Sequence, residues 1–374
     1  MDNFSEMLVT GMRNRGHNVQ HWTPDPVLSK FTKSRFVGKW LGYIDLFLIF
    51  PSKTRIRIKK CKVNTLYVFT DQALGPWVPM VKEYPHVIHC HDFLALSSAL
   101  GEISENRTSW TGKLYQRFIH RGYVYGKNFI SVSEKTQEQL KRFLQTAPLQ
   151  STVIYNGLRE GFLPYEPDKA RAMIESRTGI NTSLGYLLHI GGNQWYKNRI
   201  GVIEIYNAWR ANSLLKLPLL LVGDAPSTDL REIFNLSPFK DHIHFLSGMD
   251  DDFLRFAYAG ASVFLFPSFA EGFGWPIVEA MACGCKVITT RDAPMTEVAG
   301  HAGFYIAKRP KQRVEIEEWS KTSAGVVENV INLGTKESES AVSIGIENAK
   351  RFDACIALNK IEITYKNILT QTTN

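Results

Sequence analysis

The feature that most constrains the fold of this chain is a series of short, continuously apolar runs separated by helical stretches. Because side chains alternate between the two faces of a strand, an uninterrupted apolar run indicates burial on both faces. Parallel sheets covered by helices on both sides meet this requirement, so the pattern predicts an α/β fold. The predicted strands are Leu66–Phe69, Val87–Cys90, Phe129–Val132, Val153–Tyr155, Tyr186–Ile190, Leu217–Val222, Ile243–Leu246, Val263–Phe266 and Val287–Thr289.

The length and the placement of turn-forming residues predict two domains. At 374 residues the chain exceeds one ordinary domain. A segment rich in turn formers, Asn156–Glu166, follows a predicted strand and suits a boundary. We expect doubly wound domains on either side of it, divided at residue 160. The stretch Ala354–Ile368 has apolar residues at helical spacing and is expected to form a packed helix.

The N-terminus departs from the usual opening of a doubly wound domain, which is a strand followed by a glycine-rich turn. Phe4, Leu8 and Met12 recur every four residues and predict a helix, followed by a strand-like segment at Asn18–Thr23. We therefore expect the first domain to lack its first strand, and Met1 to be an internal methionine of a longer reading frame. Adding a strand and turn of about 15–20 residues is expected to raise stability and activity together.

Composition and charge bound the compartment and the partners. Hydrophobic residues make up 44% and charged residues 21%, values typical of a globular protein. The five cysteines are odd in number and scattered, which predicts reduced thiols and a cytoplasmic location. The net charge is +8, and cations cluster at Lys53–Lys62 after the apolar run Trp40–Phe50. Residues 40–62 thus suit either peripheral contact with the inner face of an anionic membrane or a solvated basic face. No nucleic-acid partner is expected.

The segment Phe266–Thr290 carries the residues most informative about chemistry. It predicts a strand, a loop and then a helix opened by proline. Gly272 and Gly274 let the backbone approach a ligand closely, and the helix start offers free N–H groups. The carboxylates of Glu271 and Glu279 bracket the loop and suit bidentate hydrogen bonds to the vicinal hydroxyls of a sugar and a ribose. The alternative is a solvated loop carboxylate and a helix-surface charge.

A second glycine-containing loop, GGNQWYKN, follows the strand that ends at Ile190. Gly191, Gly192 and Lys197 would place N–H groups and a point charge beside a diphosphate. The alternative is that the polar residues from Lys197 to Arg199 are an ordinary helix start.

The sequence HCHD lies at the end of a strand in the first domain. A polar residue at the carboxyl end of a parallel strand is well placed for a ligand site, so His91 is a functional candidate. His89 is expected to be a buried histidine with a hydrogen-bond partner. The two imidazoles could ligate a metal, but no third ligand is evident, and no metal site is expected.

The motif of glutamate, seven residues and glutamate, at Glu271 and Glu279, resembles that of the retaining family-4 glycosyltransferases, which have the GT-B fold of two Rossmann-like domains facing across a cleft. The resemblance extends over nearly the whole chain. It includes RGH near the start, HCHD, SVSEKT, YNG, GGNQWYKN and VGD. In this family the last helix returns to the first domain. The resemblance thus implies a first domain of residues 1–160 plus 354–374 and a second of residues 161–353.

The resemblance also implies roles for particular residues. Glu271 would contact donor-sugar hydroxyls, helped by the amides of Gly272, Phe273 and Gly274. Glu279 would bind the ribose of the nucleotide, Lys197 would meet the diphosphate, and His91 would touch the donor sugar by its backbone or its ring.

The implied reaction moves a sugar, a hexose or mannose-like unit, from a nucleotide diphosphate sugar to an acceptor with retention at the anomeric carbon. The acceptor would be a glycan, a lipid or a small molecule, as in polysaccharide biosynthesis, and no cofactor or metal is expected. Two alternatives remain: a sugar-nucleotide epimerase on the same fold, and a catalytically silent scaffold.

One departure from the family pattern concerns the diphosphate site. Relatives usually carry arginine where this chain has Gly192, so another cation is expected nearby. Arg199 is the nearest candidate in sequence, and as a transition-state clamp its loss would lower turnover with little loss of fold stability. Alternatively, it would point outward and pair with a surface carboxylate such as Glu204.

Overall fold

A computed structural model describes residues 2–32, 34–62 and 64–371. The strands are β1 Tyr67–Phe69, β2 His86–Cys90, β3 Asn128–Ser131, β4 Gln150–Val153, β5 Leu187–Ile190, β6 Leu219–Val222, β7 Ile243–Leu246, β8 Val263–Phe266, β9 Val287–Thr290 and β10 Phe304–Ile306. The helices are α1 Asp2–Asn14, α2 Arg35–Ile44, α3 Phe50–Ile58, α4 Leu94–Ala99, α5 Trp110–Tyr123, α6 Glu134–Phe143, α7 Pro167–Thr178, α8 Arg199–Asn212, α9 Thr228–Leu236, α10 Asp251–Gly260, α11 Trp275–Ala282, α12 Met295–Ala299, α13 Arg313–Ile331, α14 Thr335–Ala349 and α15 Ala354–Gln371. A π-helical segment, Asp45–Ile49, joins α2 to α3.

The chain divides into two compact units. The first contains the described residues of Met1–Val132, Thr136–Ile154 and Cys355–Asn374. The second contains Ser133–Lys135 and Tyr155–Ala354. Both sheets are entirely parallel, which confirms the α/β prediction.

The sheet of the first unit has the order β1-β2-β3-β4, with helices α1 and α15 packed together in its core. The predicted N-terminal helix is confirmed, because Phe4, Leu8 and Met12 are all buried in that core. The two helices approach closely at Gly11, where an added Cβ would lie 2.7 Å from the methyl groups of Leu358. Met1, which the sequence predicts to be internal to a longer reading frame, lies outside the described residues.

The prediction of a strand at Asn18–Thr23 is wrong. The segment has no regular secondary structure, although Val19 packs against the core and Trp22 contacts the ring of Tyr67. A strand requires a partner for its backbone ladder, and β1 pairs only with β2 among the described strands. The segment therefore has the residue pattern of a strand but no backbone hydrogen-bond partner among the described strands.

The sheet of the second unit has the order β10-β9-β8-β5-β6-β7. From β5 the chain moves outward through β6 to β7, and it then returns to the other side of β5 to form β8, β9 and β10. The strand order therefore reverses between β5 and β8. In open parallel sheets ligands bind at the carboxyl ends of the strands at such a switch point, so the topology directs attention to the loops after β5 and β8.

No helix in the described part of the chain combines the length and apolar character that crossing a membrane requires.

Candidate donor-sugar site

Two loops leave the sheet of the second unit at its switch point. Residues 191–198 follow β5, and residues 267–274 follow the adjacent parallel strand β8. Asn198 joins them, with its backbone in the left-handed region at a φ of 52°. Its Oδ1 accepts a hydrogen bond from the Gly201 amide at 3.2 Å, and its Nδ2 donates to the Pro267 carbonyl at 2.9 Å. One side chain thus caps helix α8 and fixes the spacing of the two loops.

A largely buried ion pair links the two loops. Lys197 Nζ lies 2.9 Å from Glu271 Oε1, and the two side chains are only 14% and 8% exposed. The ammonium also lies over the ring of Phe266, 5.0 Å from its centroid. Removing two charges from water is costly unless each contacts an opposite charge. Lys197 and Glu271 therefore stabilise each other in this position. The alternative of a solvated loop carboxylate at Glu271 does not fit this burial.

Glu279 lies in the second turn of α11 and is also buried, with a side chain 7% exposed. Its Oε1 accepts a hydrogen bond from Arg159 at 3.1 Å, and its Oε2 accepts one from the hydroxyl of Tyr258 at 3.1 Å. Burial raises the pKa of Glu279, while the guanidinium of Arg159 and the Tyr258 hydroxyl oppose that rise. The alternative of a helix-surface charge at Glu279 is wrong.

Arg199 is the first residue of α8 and is 5% exposed, so it does not point outward. Its Nη1 donates to the Asn193 side-chain oxygen at 2.7 Å and to the Asp224 carbonyl at 2.9 Å. Its Nε and Nη2 are buried and have no hydrogen-bond partner among the described residues. The suggested surface partner, Glu204, is bound instead by Arg309 at 2.6 and 2.7 Å.

The space beside Gly192 is occupied by side-chain ends. An added Cβ would lie 2.5 Å from Asp224 Oδ2 and 2.7 Å from Gln194 Oε1. The same Asp224 oxygen accepts a hydrogen bond from the Asn193 amide at 3.0 Å. At Gly191, an added Cβ would meet His189 Nε2 at 3.1 Å. Both glycines therefore lie in crowded positions, where the backbone passes close to polar groups.

The three residues after Glu271 differ in character. The Phe273 side chain is 4% exposed and packs against Tyr155 and Phe352, with ring centroids 6.2 and 5.5 Å away. Only its backbone amide is therefore a candidate for ligand contact. Gly274 has a φ of 108°, which a residue with a side chain adopts only under strain. Gly272 separates this rigid turn from Glu271.

The histidines of HCHD lie in the first unit, at the end of β2. His89 is 1% exposed, and its Nε2 is 2.7 Å from the Tyr365 hydroxyl, so the prediction of a buried, hydrogen-bonded histidine is confirmed. Burial lowers the pKa of His89 to about 3. The ring of His91 donates from Nε2 to the Thr70 carbonyl at 2.9 Å, and burial lowers its pKa. Because that nitrogen carries the proton, Nδ1 is the ring atom left to accept.

Within the ranges that the structure describes, no group of three His, Cys, Asp or Glu side chains is arranged to hold a metal ion. Lys197, Arg159 and Arg199 bring positive charge to this site.

Two matches to known families cover most of the chain. Residues 2–160 match the family described as Glycosyltransferase Family 4, and residues 185–316 match the family described as Glycosyl transferases group 1. The chain belongs to the family-4 glycosyltransferases. This confirms the resemblance drawn from the two glutamates and the glycine loops.

A curated relative agrees with that assignment. This family-4 chain is 24% identical over 261 residues to the O-antigen chain mannosyltransferase B of Escherichia coli, a match covering 69% of this chain and 62% of that protein. The chain thus spans less than two thirds of the length of that curated relative.

Solved structures show that this family-4 chain has the GT-B fold. WaaG, a glycosyltransferase involved in lipopolysaccharide biosynthesis, superposes with a TM-score of 0.68 at 16% identity, covering 96% of this chain and 94% of WaaG. Anabaena HepE in complex with UDP and glucose gives a TM-score of 0.67 at 18% identity, covering 95% and 88% of the two chains.

Sequence reasoning missed three residues of the site: Arg159, Asp224 and Tyr258. Arg159 lies in the turn-rich segment that was interpreted as a boundary, and Tyr258 lies within a helix. Only Asp224 carried a signal, because it follows a glycine directly after a strand, in the VGD motif.

Proposed function

We propose that this chain is a retaining glycosyltransferase that moves a hexose or mannose-like sugar from a nucleotide diphosphate sugar to a glycan, lipid-linked or small-molecule acceptor. The observation that carries the proposal is the largely buried Lys197–Glu271 pair at the switch point of the second sheet. A diphosphate beside a sugar would need a cation next to a carboxylate, so this pair supports the proposal. The mannosyltransferase relative is consistent with the sugar proposed.

In the proposed reaction the acceptor oxygen forms a bond to the anomeric carbon as the bond to the diphosphate oxygen breaks. Attack comes from the face that the diphosphate leaves, and a donor phosphate oxygen takes the acceptor proton. Lys197, Arg199 and the loop amides would stabilise the charge that develops on the diphosphate. Glu271 would hold the sugar hydroxyls, and His91 would contact the donor sugar by its backbone or its Nδ1.

Donor turnover is expected without any added metal. Protein cations would meet the diphosphate charge, so a panel of nucleotide sugars tested with a strong chelator present should include at least one that is hydrolysed or transferred. Chromatography of the nucleotide products is the measurement. Activity that returns only with added magnesium or manganese would contradict metal independence, and interconversion of the donor without release of nucleotide would instead indicate an epimerase.

Replacing Glu279 with alanine is expected to weaken binding of UDP or GDP, whichever binds the wild type, by about ten- to a hundredfold. The reason is the loss of a charged hydrogen bond to the ribose, which contributes roughly 1.5–3 kcal/mol. Isothermal titration calorimetry measures the affinity. Glu347→Ala, which removes an exposed helix carboxylate paired with Lys350, is the control and should bind normally. Unchanged nucleotide affinity in Glu279→Ala would refute the ribose assignment.

We also propose peripheral contact with an anionic membrane through residues 40–62. Exposed aromatic and basic residues of α5, in the same unit, support this proposal. Trp40 is 59% exposed and Trp110, at the start of α5, is 73% exposed. The ring centroid of Phe47, in the π-helical segment, lies 5.5 Å from that of Phe118 in α5, so the two helical regions are adjacent. The exposed cations of these two regions are Lys53, Arg55, Arg57, Lys59, Lys60, Lys113, Arg117 and Arg121.

These two regions contain few acidic residues to offset their cations, which favours an anionic partner. Between Arg35 and Ile58 the sequence contains one acidic residue, Asp45, and α5 contains none. Asp45 is buried, and its carboxylate accepts hydrogen bonds from the backbone amides of Val27, Leu28 and Ser29. Aromatic side chains beside uncompensated cations match the headgroup region of an anionic bilayer.

Changing Lys53, Arg55 and Lys59 together to alanine should reduce binding to vesicles that contain phosphatidylglycerol by about a hundredfold. Each cation near such a surface contributes about 1 kcal/mol. Co-sedimentation is the measurement. The control changes Lys216, Lys240 and Lys336, three exposed lysines of the second unit, and alters net charge equally. Equal losses in both variants, or equal binding to pure phosphatidylcholine, would contradict the assigned surface.

A further inference from the structure

Arg159 is the cation that contacts the buried carboxylate of Glu279, and it is held from three directions. Its Nη2 lies 3.1 Å from Glu279 Oε1, and its Nη1 lies 2.8 Å from Asp251 Oδ2 in the first turn of α10. Its guanidinium carbon lies 5.2 Å from the ring centroid of Phe162. The arginine is thus fixed between two helices, although it comes from an irregular segment.

The groups around Glu279 determine what that carboxylate can bind. Arg159 and the Tyr258 hydroxyl each donate a hydrogen bond to it, whereas Asp251 contributes like charge. Cys283, one turn further along α11, is a buried thiol with a raised pKa and supplies no charge to offset the carboxylate. Because Tyr258 is neutral, Arg159 is the cation in direct contact with Glu279 among the described residues.

An ionised carboxylate accepts two hydrogen bonds from vicinal hydroxyls, whereas a protonated carboxyl group loses part of that capacity. A buried carboxylate without a cation tends to take up a proton. The proposed ribose contact therefore needs Glu279 to be charged inside a dry environment.

We propose that Arg159 is a positioning residue for nucleotide binding, which acts by keeping Glu279 ionised and oriented toward the ribose hydroxyls. The inference rests on the proposed function of Glu279 and assigns the supporting role to a residue outside the two glycine loops. It also explains why an arginine from the irregular segment is held by both α10 and α11: a guanidinium placed in this way has little freedom to leave the carboxylate.

The sign of the pH dependence follows from the surroundings. Burial raises the pKa of Glu279, and Arg159 is the largest influence that lowers it. Without the guanidinium the pKa of Glu279 rises further, so the carboxyl group takes up a proton at a higher pH than in the wild type. Nucleotide affinity in an Arg159 variant should therefore be lost as the pH falls and regained as it rises.

The experiment compares Arg159→Gln with the wild type by calorimetric titration of UDP or GDP between about pH 6 and pH 9. The ratio of the two affinities at each pH cancels the titration of the nucleotide itself. We expect the affinity of Arg159→Gln relative to the wild type to approach one at the basic end and to fall at the acidic end, by up to about tenfold for each pH unit below the pKa of Glu279 in the variant. Arg159→Lys, which retains a cation, should lose less.

Two further variants keep the test decisive. Arg177→Gln removes an arginine bound to Asp250 beside the same helix start and should show the wild-type profile. Glu279→Gln has no charge to lose, so adding Arg159→Gln to it should produce no pH-dependent change.

Three outcomes would decide between the possible roles. An affinity loss in Arg159→Gln that is equal at every pH would show a merely structural role and overturn the inference. If Glu279→Ala weakens binding while Arg159→Gln matches the wild type throughout, the inference fails and the ribose assignment stands. Normal binding by Glu279→Ala refutes the assignment itself.

Discussion

Replacing Glu271 with alanine is expected to lower sugar transfer by at least about a hundredfold while leaving nucleoside diphosphate affinity within about threefold of the wild type. The reason is that Glu271 is assigned to the donor sugar, whereas Glu279 is assigned to the nucleotide. Misplacing a reacting centre by about 1 Å can cost a hundredfold in rate. The measurements are initial rates with the donor and calorimetric titration with the nucleoside diphosphate.

The Lys197–Glu271 pair adds a second consequence to that substitution. Glu271→Ala leaves the largely buried ammonium of Lys197 without its carboxylate, so the free energy of unfolding is expected to fall as well. Thermal melts must therefore accompany the kinetics. Glu271→Gln keeps the shape and an oxygen that can accept from Lys197, so it should be more stable than Glu271→Ala and still deficient in transfer.

An exposed pair of the same chemistry is the control for Glu271. Glu317 and Lys321 lie 2.7 Å apart on α13, with side chains 73% and 60% exposed. Glu317→Ala should leave both rate and stability close to wild type, because exposed pairs contribute little. A Glu271→Ala enzyme that remains folded and transfers sugar normally would remove Glu271 from the donor site. A parallel loss of nucleotide affinity would instead place it on the nucleotide.

The strands that could be predicted were those with a strong burial signal. Central strands such as Leu219–Val222 and Val263–Phe266 are buried throughout, and their apolar runs predicted them well. The edge strand Phe304–Ile306 was missed, because it is three residues long and partly exposed. The prediction for Val153–Tyr155 shared one residue with the observed strand Gln150–Val153, whose polar residues hide it from an apolar pattern.

In the site, features within one short segment could be predicted, whereas contacts between residues far apart in the sequence could not. The two loops could be predicted, because glycines, a lysine and two glutamates follow strands within short segments. The pairing of Lys197 with Glu271 could not, since the two residues are 74 positions apart and meet only because β5 and β8 are neighbours. The contact of Arg159 with Glu279 spans 120 positions, and no periodicity reports it.

The structure changes what is expected of Arg199. The sequence suggested a clamp whose loss would spare stability, but the guanidinium is buried, and it holds Asn193 and the Asp224 carbonyl. Removing it deletes both hydrogen bonds and the packing of a buried side chain, whose guanidinium carbon lies 5.7 Å from the ring centroid of Phe245. Loss of stability is therefore expected together with loss of turnover, and the two effects must be separated by design.

Arg199→Met keeps most of the side-chain volume and removes the charge, so it is the informative variant. We expect its turnover to fall at least tenfold, since removing one donor to a developing anion costs about 10²–10³ in other enzymes. Arg309→Met, which releases Glu204 on the same helix, is the matched control and should retain its turnover. If Arg199→Met turns over normally, Lys197 and the backbone amides are the stabilisers of the diphosphate.

A rescue experiment then shows whether Arg199 acts through its charge beside the diphosphate or only by holding the loops in place. Adding Gly192→Arg to Arg199→Met supplies a guanidinium from the position that relatives use. The new Cβ would press on the ends of Asp224 and Gln194, both of which are side-chain tips that can rotate away. If charge beside the diphosphate is what Arg199 contributes, turnover should recover in part while the melting temperature stays low, because the contacts to Asn193 and Asp224 are not restored. If Arg199 only braces the two loops, the added arginine should recover neither quantity, and the residue belongs to the scaffold of the site.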